Sequence, residues 1–165
     1  MGITPQTTPA TTPPKNIVIR PGAKEDRWWL LDVLAQFNRE SGYKTSLLPD
    51  AETIETMIEA VAENHIFLVA EDDDEKIAGF VAGTLEKCPL NPDVLMFNEM
   101  LWWVQPQLRG EFGVGGKLLD EAVAEARRRG AKMIWWSLQD DTKVSSESLR
   151  RRGFVKKEIK YLLEV

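Results

Sequence analysis

The residues Val104-Gln105-Pro106-Gln107-Leu108-Arg109-Gly110-Glu111-Phe112-Gly113-Val114-Gly115-Gly116-Lys117-Leu118-Leu119 have types and spacing that suit the capture of an anion. An apolar strand runs out at a proline, a glycine-rich turn follows, and a helix begins. That order brings several backbone N–H groups at a helix N-terminus to one point, the geometry that holds phosphate. The four glycines between Arg109 and Lys117 let the main chain approach a bulky group, and the two cations add positive charge. A pyrophosphate is the natural guest. The bland alternative is a tight strand-to-helix turn with no ligand. Spacing excludes two other phosphate binders: no Gly-Lys-Ser/Thr completes a P-loop, and no strand near the N-terminus leads into a dinucleotide fingerprint.

Positioning such a loop needs a strand on one side and a helix on the other, and the flanking pattern supplies both. Residues 95–104 are apolar apart from Asn98 and Glu99, as expected of a strand covered on both faces. Residues 113–130 place Leu118, Leu119, Ala122, Val123 and Ala126 on one side of a helix. Upstream, residues 16–20 read as a short strand and 24–41 as a helix carrying Trp28, Leu31, Val33, Leu34 and Phe37 at helical spacing. A second helix opens at Asp50 and ends near Asn64. Residues 66–70 and 77–85 form a hairpin around the acidic turn 71–75, and residues 88–93, with two prolines, read as a loop. Downstream come a strand at 133–138, a short helix at 144–152 and a final strand at 154–163. The order is β-α-α-β-β-β-α-β-α-β, an α/β domain over residues 16–165. The Thr/Pro-rich residues 1–15 carry nothing that could pack, so they read as a disordered tail.

Composition narrows the function classes. The 165 residues carry 21 Lys plus Arg and 26 Asp plus Glu, a net charge of −5, which argues against a nucleic-acid coat. From Pro106 onward there are 13 basic and 9 acidic residues, against 8 and 17 before it, so an anionic ligand is steered to the second half. One cysteine, Cys88, and one histidine, His65, leave no disulfide and no zinc set. Metal-free chemistry in the cytoplasm is the expectation, with no membrane partner, since no stretch reaches the roughly 18 apolar residues of a spanning helix. The acidic turn reads as a solvated loop rather than a metal site.

Val104-x-Pro106-x-x-Arg109-Gly110 followed by Gly113-x-Gly115-x-x-Leu118-Leu119 resembles the acetyl-CoA-binding signature of the GNAT family of N-acetyltransferases. Arg150-Arg151-Arg152-Gly153-Phe154 after a short helix is similar to that family's closing element, and the element order is similar from about residue 16 to 165. Trp102-Trp103-Val104 is also similar to a strand found in bacteriophage-encoded members. The resemblance implies a three-layer α/β/α domain with a mixed, mostly antiparallel sheet, and acetyl-CoA as co-substrate. It implies cofactor contacts from Trp103, Val104, Gln105, Pro106, Arg109, Gly110, Glu111, Phe112, Gly113, Val114, Gly115, Gly116 and Lys117, a primary amine on a small molecule or a protein as acceptor, and a homodimer as a common assembly. Two departures stand out. The usual turn runs Arg-Gly-x-Gly-x-Gly, whereas Glu111-Phe112 lengthens it here by one residue. The family's tyrosine acid, four residues before the glycine of the Gly-Phe pair, is Leu149 in this chain.

Acetyl transfer to an amine needs a proton acceptor, because a free alkylamine has a pKa near roughly 10.4. Glu99 is the candidate general base: it is the one acidic residue in the strand before the loop, and burial there raises a carboxyl toward useful values. Strands of similar enzymes splay at this point, which would aim a backbone N–H near Trp103 or Val104 at the developing oxyanion. Tyr161 is the candidate acid, with Ser146 and Ser148 the other hydroxyls of the closing element and solvent a sufficient substitute. A member of a second class, a non-catalytic CoA- or protein-binding module that keeps the fold, also fits the missing tyrosine and lengthened loop.

The six tryptophans form three adjacent pairs. On a strand, neighbours point to opposite faces, so Trp102-Trp103 and Trp135-Trp136 each send one ring to either side, mostly into core; Trp102 or Trp103 could wall an acceptor pocket. Arg127-Arg128-Arg129 reads as a helix end facing the negative pole of the dipole. One of Arg150, Arg151 and Arg152 is placed to meet the 3′-phosphate of CoA. His65 reads as structural, and Cys88 lacks a histidine that would make it a nucleophile.

Overall fold

A computed structural model of the chain describes residues 16–40, 49–110, 113–138, 146–158 and 163. Its strands are β1 (Ile17–Pro21), β2 (Ile66–Asp72), β3 (Ile77–Cys88), β4 (Asn91–Val104) and β5 (Met133–Trp135). Its helices are α1 (Arg27–Glu40), α2 (Ala51–Asn64), α3 (Val114–Arg128) and α4 (Ser146–Arg151). The strands lie in one five-stranded sheet in the order β1-β2-β3-β4-β5. All neighbours are antiparallel except β4 and β5, which run parallel, and α3 is the crossover between them.

Side-chain alternation sorts the core into two layers. Ile66, Leu68 and Ala70 of β2 face α3, joining Val81, Phe97 and Val104 against Val114, Leu118, Ala122 and Ala126. Phe67 and Val69 face the other way and join Phe80 and Trp103 against Leu30, Val33, Ile54 and Ile58 of α1 and α2. A period of two on the strands meeting apolar stripes on the helices therefore produces a sheet covered on both sides.

Local signals explain most element ends. Asp50 caps α2 by accepting from the Thr53 N–H at 2.7 Å, the role its type and position suggested. At the start of α1 a 3-10 turn, Lys24–Asp26, intervenes, and Asp26 turns inward. That carboxylate is 6% exposed, takes both terminal nitrogens of Arg20 at 2.9 Å, and accepts from the Ala23 N–H at 2.8 Å. Burial pushes the Asp26 carboxyl up, but these bonds outweigh it and hold the group below its ordinary value.

Three sequence expectations are corrected. The loop expected at 88–93 is a two-residue turn, because β4 starts at Asn91 and pairs there with Cys88. The prolines at 89 and 92 are tolerated at a turn and next to a strand's first residue, where a missing donor costs little. β5 ends at Trp135 rather than Leu138. Residues 154–158, expected to open a final strand, have no regular structure; residues 159–162, including Tyr161, lie outside the described residues, as do 1–15.

Candidate functional site

β4 and β5 are joined by three parallel pairs, Met96 with Met133, Phe97 with Ile134 and Asn98 with Trp135. β4 runs on to Val104 with β3 still beside it, Gly79 opposite Val104, but among the described residues no strand covers its other edge beyond Asn98. Where the strands part, the register slips. Ala82 faces Leu101 while Gly83 faces Glu99, so Met100 is an extra residue on β4. Such a bulge bends a strand and re-aims the residues beyond it.

Main-chain parity puts a donor on that open edge. The Gln105 N–H donates to the Ala78 carbonyl on β3 at 2.9 Å, so alternation turns the N–H and C=O of Val104 away from β3. Arg109 Nε donates to that carbonyl at 2.8 Å, and the Val104 N–H shares the same edge.

The loop then delivers the chain to α3. Pro106–Leu108 makes one 3-10 turn anchored by buried Leu108, and Gly113 caps α3 at φ 66°, left-handed backbone that glycine adopts without strain. No side chain caps this helix, so the N–H groups of Val114, Gly115 and Gly116 have no intrahelical acceptor; Lys117 is the first to close a turn, onto the Gly113 carbonyl at 2.9 Å. A Cβ on Gly110 or Gly113 would meet no described atom within 4 Å. Gly115 does a different job: a Cβ there would lie 3.0 Å from the Trp102 ring, and its absence lets the first turn of α3 rest on the ring beside the open edge. Lys117 is exposed. Glu111 and Phe112, the lengthening of the turn, lie outside the described residues.

Glu99 stands where β4 and β5 part. It is half-buried, and its Oε2 accepts the Ser137 N–H at 3.0 Å, bridging β4 to the segment after β5. Arg109, expected to add charge at the loop, has other partners. Besides Val104 it donates to Glu40 Oε2 at 2.9 Å, and its guanidinium lies 5.6 Å from the Trp103 ring centre. Glu40 also accepts from Gln36 at 2.7 Å; burial raises its carboxyl, and the bonds from Arg109 and Gln36 bring it below the ordinary value. This bridge clamps the end of α1 to the loop. Sequence reading missed it, although Asp32, Gln36 and Glu40 repeat at four-residue spacing along α1 and could have been seen as a polar stripe beside the apolar face.

The paired tryptophans split as the alternation requires: Trp102 packs in the α3 layer and Trp103, 7% exposed, in the opposite one. Gln105 donates to the Ile77 carbonyl and Gln107 to Gln105. A cleft of about 310 Å³ opens on the α1 side of this strand end, bounded by Trp29, Asp32, Trp103 and Gln105. A second cavity of about 150 Å³ sits at the far end of α3 among Arg20, Glu125, Arg128 and Arg129, whose charges are already paired with carboxylates.

In the closing element, Leu149 is 8% exposed and packs as core. Arg152 bonds Asp120 of α3 at 2.6 and 3.0 Å, lying against Gly116, whose Cβ would be 3.1 Å from it. Arg150 pairs only loosely with Glu147, at 3.8 Å. His65 accepts from the Leu85 N–H at 3.1 Å and is structural. No group of three or more potential metal ligands exists among the described residues, and no described helix is long and apolar enough to cross a membrane.

Residues 28–154 match the sequence model of the acetyltransferase (GNAT) family. Among solved structures, a ribosomal-protein-alanine N-acetyltransferase from Brucella melitensis superposes with a TM-score of 0.74 at 15% identity, over 91% of this chain and 98% of its own. Glucosamine-6-phosphate N-acetyltransferase from Arabidopsis thaliana gives 0.71 at 17% identity, over 91% and 99%. A predicted acetyltransferase with acetyl-CoA from Clostridium acetobutylicum gives 0.70 at 17%, over 90% and 96%. At these identities the likeness is one of fold. No curated protein matches the sequence.

Proposed function

Because the chain belongs to the acetyltransferase (GNAT) family, we propose that it moves an acetyl group from acetyl-CoA to a primary amine by direct attack, with no covalent enzyme intermediate. One observation carries the reading: the edge of β4 from Glu99 to Val104, which no described strand covers, leads to the first-turn amides of α3, which no described side chain caps. A thioester arm fits along the first, and its diphosphate on the second.

In this reading the diphosphate accepts from the amides between Gly113 and Lys117, with Lys117 as counter-charge. The Val104 N–H donates to the thioester oxygen and strengthens that bond as charge develops there. Glu99 takes the proton that the amine loses as its nitrogen bonds to the carbonyl carbon, directly or through water. The C–S bond then breaks, and the thiolate, whose conjugate acid has a pKa near roughly 8.5, takes a proton from solvent or from Tyr161. Leu149 cannot serve, being apolar and packed inside. That same leucine is what favours the second reading, a CoA-binding module without turnover. Release of free thiol from acetyl-CoA in the presence of a panel of primary amines separates the two: turnover with any amine supports transfer, and acetyl-CoA binding with no turnover on any of them supports the module.

A further inference from the structure

The cleft on the α1 side of β4 says what kind of amine would be accepted, if the proposed acetyl transfer holds. Among the described residues that bound it, Asp32 is the only ionisable one, and its carboxylate has no hydrogen-bond or ion-pair partner among them. The three glutamines at the cleft have their amide nitrogens engaged by protein acceptors, Gln36 by Glu40, Gln105 by the Ile77 carbonyl and Gln107 by Gln105. The cleft is thus faced by an acceptor with formal negative charge and by an aromatic surface made of Trp29 and Trp103, which meet edge to face at 5.8 Å. Arg109, at the same strand end, is balanced by Glu40.

An ammonium group is the complement of such a site: it has three donors and no acceptor, and indole faces attract it. A carboxylate or phosphate would meet Asp32 with like charge. The cleft adjoins Trp103 and Gln105, the neighbours on either side of Val104, whose N–H lies on the reacting edge. A ligand with one end in the cleft can therefore reach the thioester with the other.

We propose that the acceptor is a small diamine, whose second ammonium sits against Asp32 in the cleft lined by Trp29 and Trp103 while the first amine is acetylated. Asp32 is then a specificity residue and takes no part in bond making. An exposed carboxylate–ammonium pair contributes up to about fivefold in affinity, and a partly enclosed one about tenfold.

The test compares 1,5-diaminopentane with 5-amino-1-pentanol, which has the same length and a neutral tail, by kcat/KM with acetyl-CoA saturating. The expected result is a preference of about fivefold for the diamine in the native protein, falling to about twofold or less in Asp32→Asn and retained in Asp32→Glu. Asp32 is exposed on a helix surface, and a thermal melt of each variant checks that folding is intact. Equal rates for the two amines in the native protein, or a preference that survives Asp32→Asn, overturns the assignment of the cleft while leaving acetyl transfer standing. Failure to acetylate either amine or any other primary amine, with acetyl-CoA bound, overturns the transfer reading and this assignment with it.

Discussion

Gly79→Ala tests how tightly the cofactor strand is held. Gly79 lies on β3 opposite Val104, and a Cβ built there would sit 2.6 Å from the Trp103 carbonyl oxygen and 3.2 Å from both Val104 Cα and Leu118 Cδ1. The first neighbour is backbone, so relief requires β4 to move away from β3 until that carbonyl is beyond 3.0 Å. The core leucine of α3 blocks the side chain from the other direction. Overpacking of this kind costs about 1 to 3 kcal/mol, and the lower entropy of alanine in the unfolded chain returns about 0.4 to 1 kcal/mol. The net cost is up to about 2.6 kcal/mol, and for a chain of this size, at about 2 to 4 °C per kcal/mol, the Tm should fall by up to about 10 °C. Because the strand segment displaced is the one whose Val104 N–H faces the open edge, acetyl-CoA-dependent turnover should drop by about tenfold or more, as misplacements of this size do. Scanning calorimetry and a thiol-release assay on the same preparation read both effects. A variant with native Tm and native turnover would refute the reasoning, since it would mean that β3 and β4 are not in such close contact at Val104.

Other perturbations have equally definite outcomes. Glu99→Gln keeps an acceptor for the Ser137 N–H and replaces the carboxylate with a neutral amide, so acetyl-CoA affinity should hold while kcat/KM falls by about 10² to 10⁴; an unchanged rate clears Glu99 of the role. Asp26→Ala leaves the Ala23 N–H without its acceptor and leaves Arg20 with its Glu71 pair at 2.7 Å, and urea unfolding at neutral pH should show a loss of about 1 to 3 kcal/mol. The depressed Asp26 carboxyl adds a pH signature. Its contribution is complete above the ordinary value of 3.8 and is lost as pH falls through the lower folded value, so the variant and native stabilities should converge below about pH 4. Gly113→Ala meets no described atom within 4 Å and acts through its φ of 66°, costing about 1 to 2 kcal/mol by urea melt.

The elements with strong periodicity were legible in the sequence. Asp50 before an apolar helical stripe marked the α2 cap, and the alternation through Trp102-Trp103 foretold one ring in each core layer. The glycine-rich turn was legible because its chemistry is local: a strand end, left-handed glycine and a helix start lie within a few residues. The hidden features depend on distance along the chain. Nothing local announces that Arg109 will pair with Glu40, 69 residues away, or that Asp32 will face a cleft made by the end of β4. The hairpin between β3 and β4 was misread because prolines ordinarily argue against strands, yet at a turn and an edge they cost no ladder bond. The parting of β4 from β5 was available only through family resemblance, since strand pairing partners are set by tertiary packing.

Calorimetric titration with acetyl-CoA and, in parallel, with S-acetyl-4′-phosphopantetheine and S-acetylpantetheine, which differ from each other only by the phosphate next to the thioester arm, addresses the amide cradle of α3 directly. Two charge-assisted hydrogen bonds at about 1.5 kcal/mol each correspond to a loss of about 10² in affinity. The account predicts saturable binding of acetyl-CoA to one site and binding of S-acetylpantetheine weaker than that of S-acetyl-4′-phosphopantetheine by about that factor or more. Equal affinity for the latter two compounds, or no heat from acetyl-CoA at millimolar concentration, contradicts it.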